Sequence, residues 1–324
     1  MITHLAHFEF SQEKYWGIIE GEVIHLLTEQ YPTTKALLQN KASILNTVKN
    51  DLNKLKKIKR SDVKLLSPVV GNQRVICQGA NYRQHMIESG MNPDAKSYNM
   101  FFNKSSASIC SSQSDIIKPK HVDLLDYEIE LGLVIGKNIT QKTVVTDGNL
   151  SDYIAAMVIT NDVSARDVQI PETQFFKGKS YRTFCPVGPY LCLLDQDSIH
   201  YLKQLELELK VNGETRQLDN TKNLVFKPAE TLTELSDFSD LDIGDLILTG
   251  TPSGCALRIP SPAIVKLFSL LPEPFRWKMF KRIQGKRPQY LQAGDYIEAS
   301  IQSSDKAIFL GHQQNKVTNE SQLI

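Results

Sequence analysis

The sequence predicts an α+β, β-rich protein, with a small N-terminal α/β domain over residues 1–70 and a larger β-rich domain over 71–324. Three observations lead there. From about residue 72 the chain breaks into short period-two segments punctuated by glycine: RVICQGANY, YEIELGLVIG, YIAAMVIT, LELELKVNGETR, DLILTG and DYIEASI. Ahead of them, TTKALLQNKASILNTVKNDLNKLKKIK spaces its apolar residues as a helix does. Between the two, KLLSPVVGNQ carries Pro68 and Gly71 and reads as a linker.

In chain order, HFEFSQEKYWGIIEGEVIHLL gives short strands turning at Glu20-Gly21, and the helical segment follows with a lysine-rich tail. This first part reads as a cap or dimerisation module without chemistry. In the second part VNGE is a hairpin turn, and DIGD and AGD are tight turns ahead of strands. Residues 257–289 differ from their surroundings, with eight Lys or Arg against the single acid Glu273. Their balance of +7 leaves −6 for the rest of a chain whose net charge is +1. They read as a basic insertion of two short amphipathic helices separated at Pro272 and Pro274, packed on the domain or on a partner subunit. Membrane contact is the lesser reading.

The overall charge singles out no nucleic acid partner. Five cysteines, odd in number, widely spaced and without a CxxC pair, fit reduced thiols in a cytoplasmic protein better than a disulfide framework or a zinc site. The N-terminal stretch has neither the basic nor the apolar region of a signal peptide, and no apolar run approaches membrane-spanning length.

The chemistry concentrates in four constellations, the first of them drawn from two stretches. DYEIELGLVIG sets Asp126, Glu128 and Glu130 on one face of a strand that turns apolar immediately afterwards. Glutamates two residues apart on a strand are separated by roughly 6.6 Å and need solvent, a basic partner or a cation between them. Asp162 in ITNDVSARDVQ would complete a three-carboxylate set for a hard cation such as Mg²⁺, Mn²⁺ or Ca²⁺ if the two strands are neighbours. Neutralisation of an acidic face by Arg166 or a lysine is the alternative. In GANYRQHMIESG, His85 and Glu88 stand three apart, a spacing that lets a carboxylate orient an imidazole as general base, or merely decorates a surface helix. In FFKGKSYRTFCPVGP, Lys177 or Lys179 could stabilise an oxyanion or could be a surface lysine. In GDLILTGTPSG, Gly250 and Gly254 permit close backbone approach beside Thr249 and Thr251, without the lysine of a phosphate-binding loop.

ICQGANYRQHMIE, DYEIELGLVIGK, ITNDVSARDVQ, KSYRTFCPVGP and ILTGTPSG, in this order and spacing, resemble the fumarylacetoacetate hydrolase family from about Leu66 to Ile301. The resemblance implies a mixed β-sandwich roll, usually dimeric, behind a small N-terminal domain. It implies Glu128, Glu130 and Asp162 as ligands of Mg²⁺ or a similar ion, and His85 and Glu88 as the base pair on a lid helix. Lys179 falls on the family's active-site lysine, and Lys104, Arg166, Gln169 and Thr251 on substrate-side positions. Two departures stand out. Cys255-Ala256-Leu257 leads into the basic insertion, and Ser105 replaces a usual proline. The expected activity is metal-dependent hydrolysis of a C–C bond in a 1,3-diketo acid such as an acylpyruvate. The alternative is decarboxylation or isomerisation of a β-keto acid or dienedioate through the same enolate chemistry, and a non-catalytic scaffold is the third reading.

Overall fold

The period-two segments form strands where the sequence places them; those of the central sheet are buried on both faces, whereas Leu205–Val211 and Tyr296–Ser303 alternate between buried and partly exposed residues. The computed structural model describes residues 2–96, 98–258, 268 and 270–321. Among these, thirteen strands join in one sheet, whose main path runs Lys57–Lys59, Val23–Leu26, Glu13–Glu20, Thr3–Phe10, Tyr190–Leu193, Ile154–Asn161, Ile129–Ile135, Leu246–Leu248, Val75–Gly79 and Met100–Lys104. A second sheet of five strands carries the hairpin Leu205–Val211 and Glu214–Asn220, turned at Asn212-Gly213 as the sequence predicts, followed by Tyr296–Ser303, Phe309–Asn319 and Ile116–Lys118.

The central strand Ile129–Ile135 explains how the layers stack. Its odd residues Ile129, Leu131, Leu133 and Ile135 pack with Leu205, Leu207, Leu209, Ile297 and Ile301 of the second sheet. On the other face, Val134 joins a separate cluster with Ala156, Val158, Leu246 and Leu248 and with Leu5, Trp16 and Leu37 of the N-terminal segment. Alternation in this strand therefore sorts residues between two buried layers, not between core and water. Gly132 sits mid-strand because a Cβ there would meet Thr160 Cγ2 at 2.8 Å and Val158 Cγ1 at 2.9 Å.

The N-terminal segment has its own strands and helices, but its strand Thr3–Phe10 pairs antiparallel with Tyr190–Leu193 and so continues the large sheet. The helical stretch forms two helices, Thr34–Gln39 and Lys41–Asn50, meeting at Asn40. Its lysine-rich tail is not helical: Lys57–Lys59 pairs as a strand with Val23–Leu26. In the basic insertion the first expected helix lies outside the described residues. The second spans Glu273–Gln284, and Pro274 falls in its first turn instead of separating helices, a position where the missing N–H costs nothing. Among the described residues no helix is long and apolar enough to cross a membrane.

Candidate active site

Register brings the carboxylates together. Ile129 lies opposite Asn161 and Glu130 opposite Thr160, and beyond the last of these pairs the Asp162 N–H donates to the Glu128 carbonyl at 2.8 Å. Glu128 and Asp162 are therefore cross-strand neighbours, with Glu130 two residues along the same face. One carboxylate oxygen from each of the three lies within 4.8 Å of the others, and all three side chains are buried.

Three buried cations surround this set. Lys179 Nζ donates to Glu128 Oε2 at 2.8 Å, Asp162 Oδ2 at 2.6 Å and Ser164 Oγ at 2.9 Å. Lys104 Nζ donates to Asp162 Oδ1 and to the Val163 carbonyl. Arg166 donates to Asp126 Oδ2 at 2.8 Å, to Gln169 Oε1 at 2.9 Å and to Glu128 Oε1. Burial pushes the Glu128 carboxyl up, but Arg166 and Lys179 together outweigh it and hold the group well below the ordinary carboxylate range. Burial likewise lowers Lys179, and Asp162 and Glu128 more than restore it, so its ammonium stays charged.

Glu130 differs from its neighbours. Its Oε2 accepts the Gly250 N–H at 2.6 Å, and among the described residues no lysine or arginine pairs with it. Burial, then Asp162 and Glu128, raise its carboxyl well above the usual value. Gly250 can approach because its φ is +88° and a Cβ would press on Asn81 at 2.8 Å. Counting Asp126 with the three carboxylates, four buried acids face three buried cations, and the shortfall falls on Glu130. An all-oxygen set with one uncompensated carboxylate fits a hard divalent cation. The neutralised acidic face considered from sequence is thus only partly realised, since Arg166 and two lysines neutralise Asp126, Glu128 and Asp162 and leave Glu130.

This gives a pH prediction for the metal-free protein. A carboxyl whose folded pKa lies above its unfolded value of 4.5 contributes stability below that value and loses it as pH rises through the folded one. The rise in melting temperature on adding Mg²⁺ should therefore be small near pH 5 and grow toward pH 8. A Mg²⁺ effect independent of pH would remove Glu130 as the uncompensated group.

Above the carboxylates lies a cavity of about 300 Å³. Its walls include His85, Glu88, Glu128, Glu130, Arg166 and Gln169, together with Lys179, Thr251, Cys255 and Arg258. Most of the residues singled out in sequence thus meet here, but several do so in another capacity. Lys104 is buried beside Asp162 and is not on the cavity wall. Lys179 has spent all three ammonium hydrogens on fixed acceptors, which leaves none for an oxyanion. Thr251 donates its hydroxyl to the Ile129 carbonyl at 2.9 Å and accepts from Gln217 Nε2 at 2.9 Å. His85 and Glu88 both belong to the Arg83–Glu88 helix, yet exposed Glu88 accepts from Gln84 Nε2 at 3.1 Å, one helical turn back. Among the described residues no carboxylate pairs with His85, which is half-buried, and burial holds its imidazole below the ordinary pKa. Lys177 is exposed and pairs with Glu172.

The sequence reading assigned no role to three neighbours. Asp126 is fully buried and accepts from Arg166, from the Ala256 N–H at 2.7 Å and from the Leu257 N–H at 3.0 Å, joining the carboxylate strand to the root of the insertion. Its parity with Glu128 and Glu130 in DYEIE was the available signal. Phe102 lies under Lys179, 5.1 Å from Nζ to ring centroid. Ser105 donates its backbone N–H to Ser180 Oγ at 2.9 Å, a bond that the usual proline could not make.

Sheet order and site together define a strand-rich α+β enzyme built around a buried divalent-metal carboxylate cluster. The chain belongs to the fumarylacetoacetate hydrolase family: the family model described as "Fumarylacetoacetate (FAA) hydrolase C-terminal" matches residues 74–318. It is 34% identical over 269 residues, 81% of this chain and 82% of the relative, to the mitochondrial oxaloacetate tautomerase FAHD2A of Bos taurus. It is 35% identical over 254 residues, 78% of this chain and 75% of the relative, to a 2,4-didehydro-3-deoxy-L-rhamnonate hydrolase of Sphingomonas. Among solved structures, a fumarylacetoacetate hydrolase from Exiguobacterium antarcticum superposes with a TM-score of 0.74 at 29% identity, covering 98% of this chain and 100% of that one.

Proposed function

We propose that the protein interconverts the keto and enol forms of a small 2-oxo acid of the oxaloacetate type. This favours the second of the two enzymatic readings drawn from sequence over C–C hydrolysis. The observation that carries it is the state of His85, a cavity-wall imidazole without a carboxylate partner while Glu88 is turned to Gln84. Moving a proton between carbon and oxygen needs one base of suitable pKa, whereas hydrolysis also needs a water oriented and activated by a His–carboxylate pair. The similarity to an oxaloacetate tautomerase over most of both chains supports the same choice.

A divalent cation on Glu128, Glu130 and Asp162, Mg²⁺ with Mn²⁺ or Ca²⁺ as alternatives, would supply Lewis-acid polarisation of the 2-oxo group. His85, its imidazole pKa lowered by burial, accepts the proton from C3 and delivers it to the 2-oxo oxygen to give the enol, and carries it the opposite way in ketonisation. Arg166 retains two N–H hydrogens beyond the three it has committed, and Gln169, held by Arg166 through Oε1, keeps its amide hydrogens; these hold the substrate's carboxylate end. Lys179 and Lys104 fix Glu128 and Asp162 and take no proton.

The test follows loss of enol absorbance from oxaloacetate, with an acylpyruvate in parallel. His85→Ala should lower turnover by about 10²–10⁴ while Glu88→Gln stays within about threefold of the parent. Cleavage of the acylpyruvate that disappears in both variants would restore the hydrolase reading.

A further inference from the structure

We infer that Arg258 selects the substrate by binding its distal carboxylate, so that the site takes 2-oxo diacids in preference to 2-oxo monoacids. The inference deepens the proposed function and rests on that reading for the 2-oxo end of the ligand.

The two other cations on the cavity wall, Lys179 and Arg166, are both engaged with protein carboxylates at its floor. Arg258 is exposed, lines the same cavity, and among the described residues has no carboxylate within ion-pair distance. A second negative charge on the substrate can find a cation here without displacing one from the carboxylate cluster.

The backbone presenting this guanidinium is pinned from both sides. Just before it, the Ala256 and Leu257 N–H groups donate to Asp126, the carboxylate that also grips Arg166. The Arg258 carbonyl itself accepts from Gln284 Nε2 at 2.9 Å, and Gln284 Oε1 in turn accepts the Tyr290 hydroxyl at 2.9 Å. Gln284 and Tyr290 are almost fully buried, so both ends of that amide are satisfied inside the protein. Farther along, Arg287 Nε donates to the Ala256 carbonyl at 2.8 Å. The Glu273–Gln284 helix thereby acts as a brace for the segment that carries Arg258. A guanidinium held at its backbone but free at its head gives planar, two-pronged recognition of a carboxylate. A cavity of about 300 Å³ lies at the small end for ligand sites, which suits a diacid of few carbons.

The experiment measures binding as well as turnover. Calorimetric titration of the Mg²⁺-loaded protein would compare malate with lactate, unreactive 2-hydroxy acids that share one end and differ in the distal carboxylate. The parent should bind malate about tenfold more tightly or better. Arg258→Gln should erase that preference while leaving lactate unchanged, and Arg258→Lys should keep part of it. In turnover, Arg258→Gln should raise KM for oxaloacetate with little change in kcat. Equal binding of malate and lactate by the parent, or a preference that survives in Arg258→Gln, overturns the inference. A malate preference that depends on Arg258 in a protein that does not tautomerise oxaloacetate would uphold it and reject the proposed reaction alone.

Discussion

In Lys179→Met, turnover should fall by about one to two orders of magnitude, while affinity for Mn²⁺ should rise. The two effects have opposite signs because Lys179 is a counter-ion to two of the three metal ligands. Its ammonium holds Glu128 and Asp162 at 2.8 and 2.6 Å and fixes their geometry, yet its charge also repels an incoming cation. Removing one partner of a buried ionic cluster costs about 3–5 kcal/mol, so the metal-free variant should be markedly less stable than the parent. Added metal should recover a larger part of that loss than it contributes to the parent. Isothermal titration with Mn²⁺, paired with thermal unfolding in EDTA and in Mn²⁺, measures both. Weaker Mn²⁺ binding in the variant would mean that Lys179 shapes the site more than it opposes the cation.

Glu130→Gln should separate function from stability in the other direction. The glutamine can still accept the Gly250 N–H, and the variant no longer buries the carboxylate that lacks a cationic partner. Burial without compensation is costly for a charge and much less so for an amide that keeps its hydrogen bond. The metal-free variant should therefore melt at or above the parent at pH 8, while its response to Mg²⁺ and its turnover are lost. A variant that melts well below the parent in EDTA would show that Glu130 is satisfied without a metal and would undo the charge count on which the site assignment stands.

Legibility in the sequence followed the physics of each position. Strand identity was readable because period-two alternation is local, and the second hairpin was readable because Asn212-Gly213 specifies its own turn. That Glu128 and Asp162 are cross-strand neighbours depends on register, which the sequence suggested only through the order of the two motifs. Spacing of three on a helix places His85 and Glu88 along the wall of the same cavity. It could not reveal that Gln84 competes for the carboxylate from four residues away. Lys104 was found through the family resemblance and Lys179, with Lys177, through its own stretch, but the work of Lys179 and Lys104 as counter-ions depends on acceptors distant in sequence: Lys104 reaches Asp162 across 58 residues. The insertion's charge was plain, whereas its brace was not, because the Gln284 side chain that holds Arg258 is neutral.

The N-terminal strands have a consequence for solubility. Without them the catalytic sheet would end at Tyr190–Leu193, a strand of four buried apolar or aromatic residues with an open row of backbone donors and acceptors. Such an edge is a template for pairing with another chain. The N-terminal strands instead carry the sheet outward to Lys57–Lys59, only three residues long, with both lysines in solvent. A short, charged rim is a poor surface on which to stack a second copy. Among the described residues the first seventy supply no cavity-wall side chain, yet they cover the edge at which the catalytic sheet would otherwise be open.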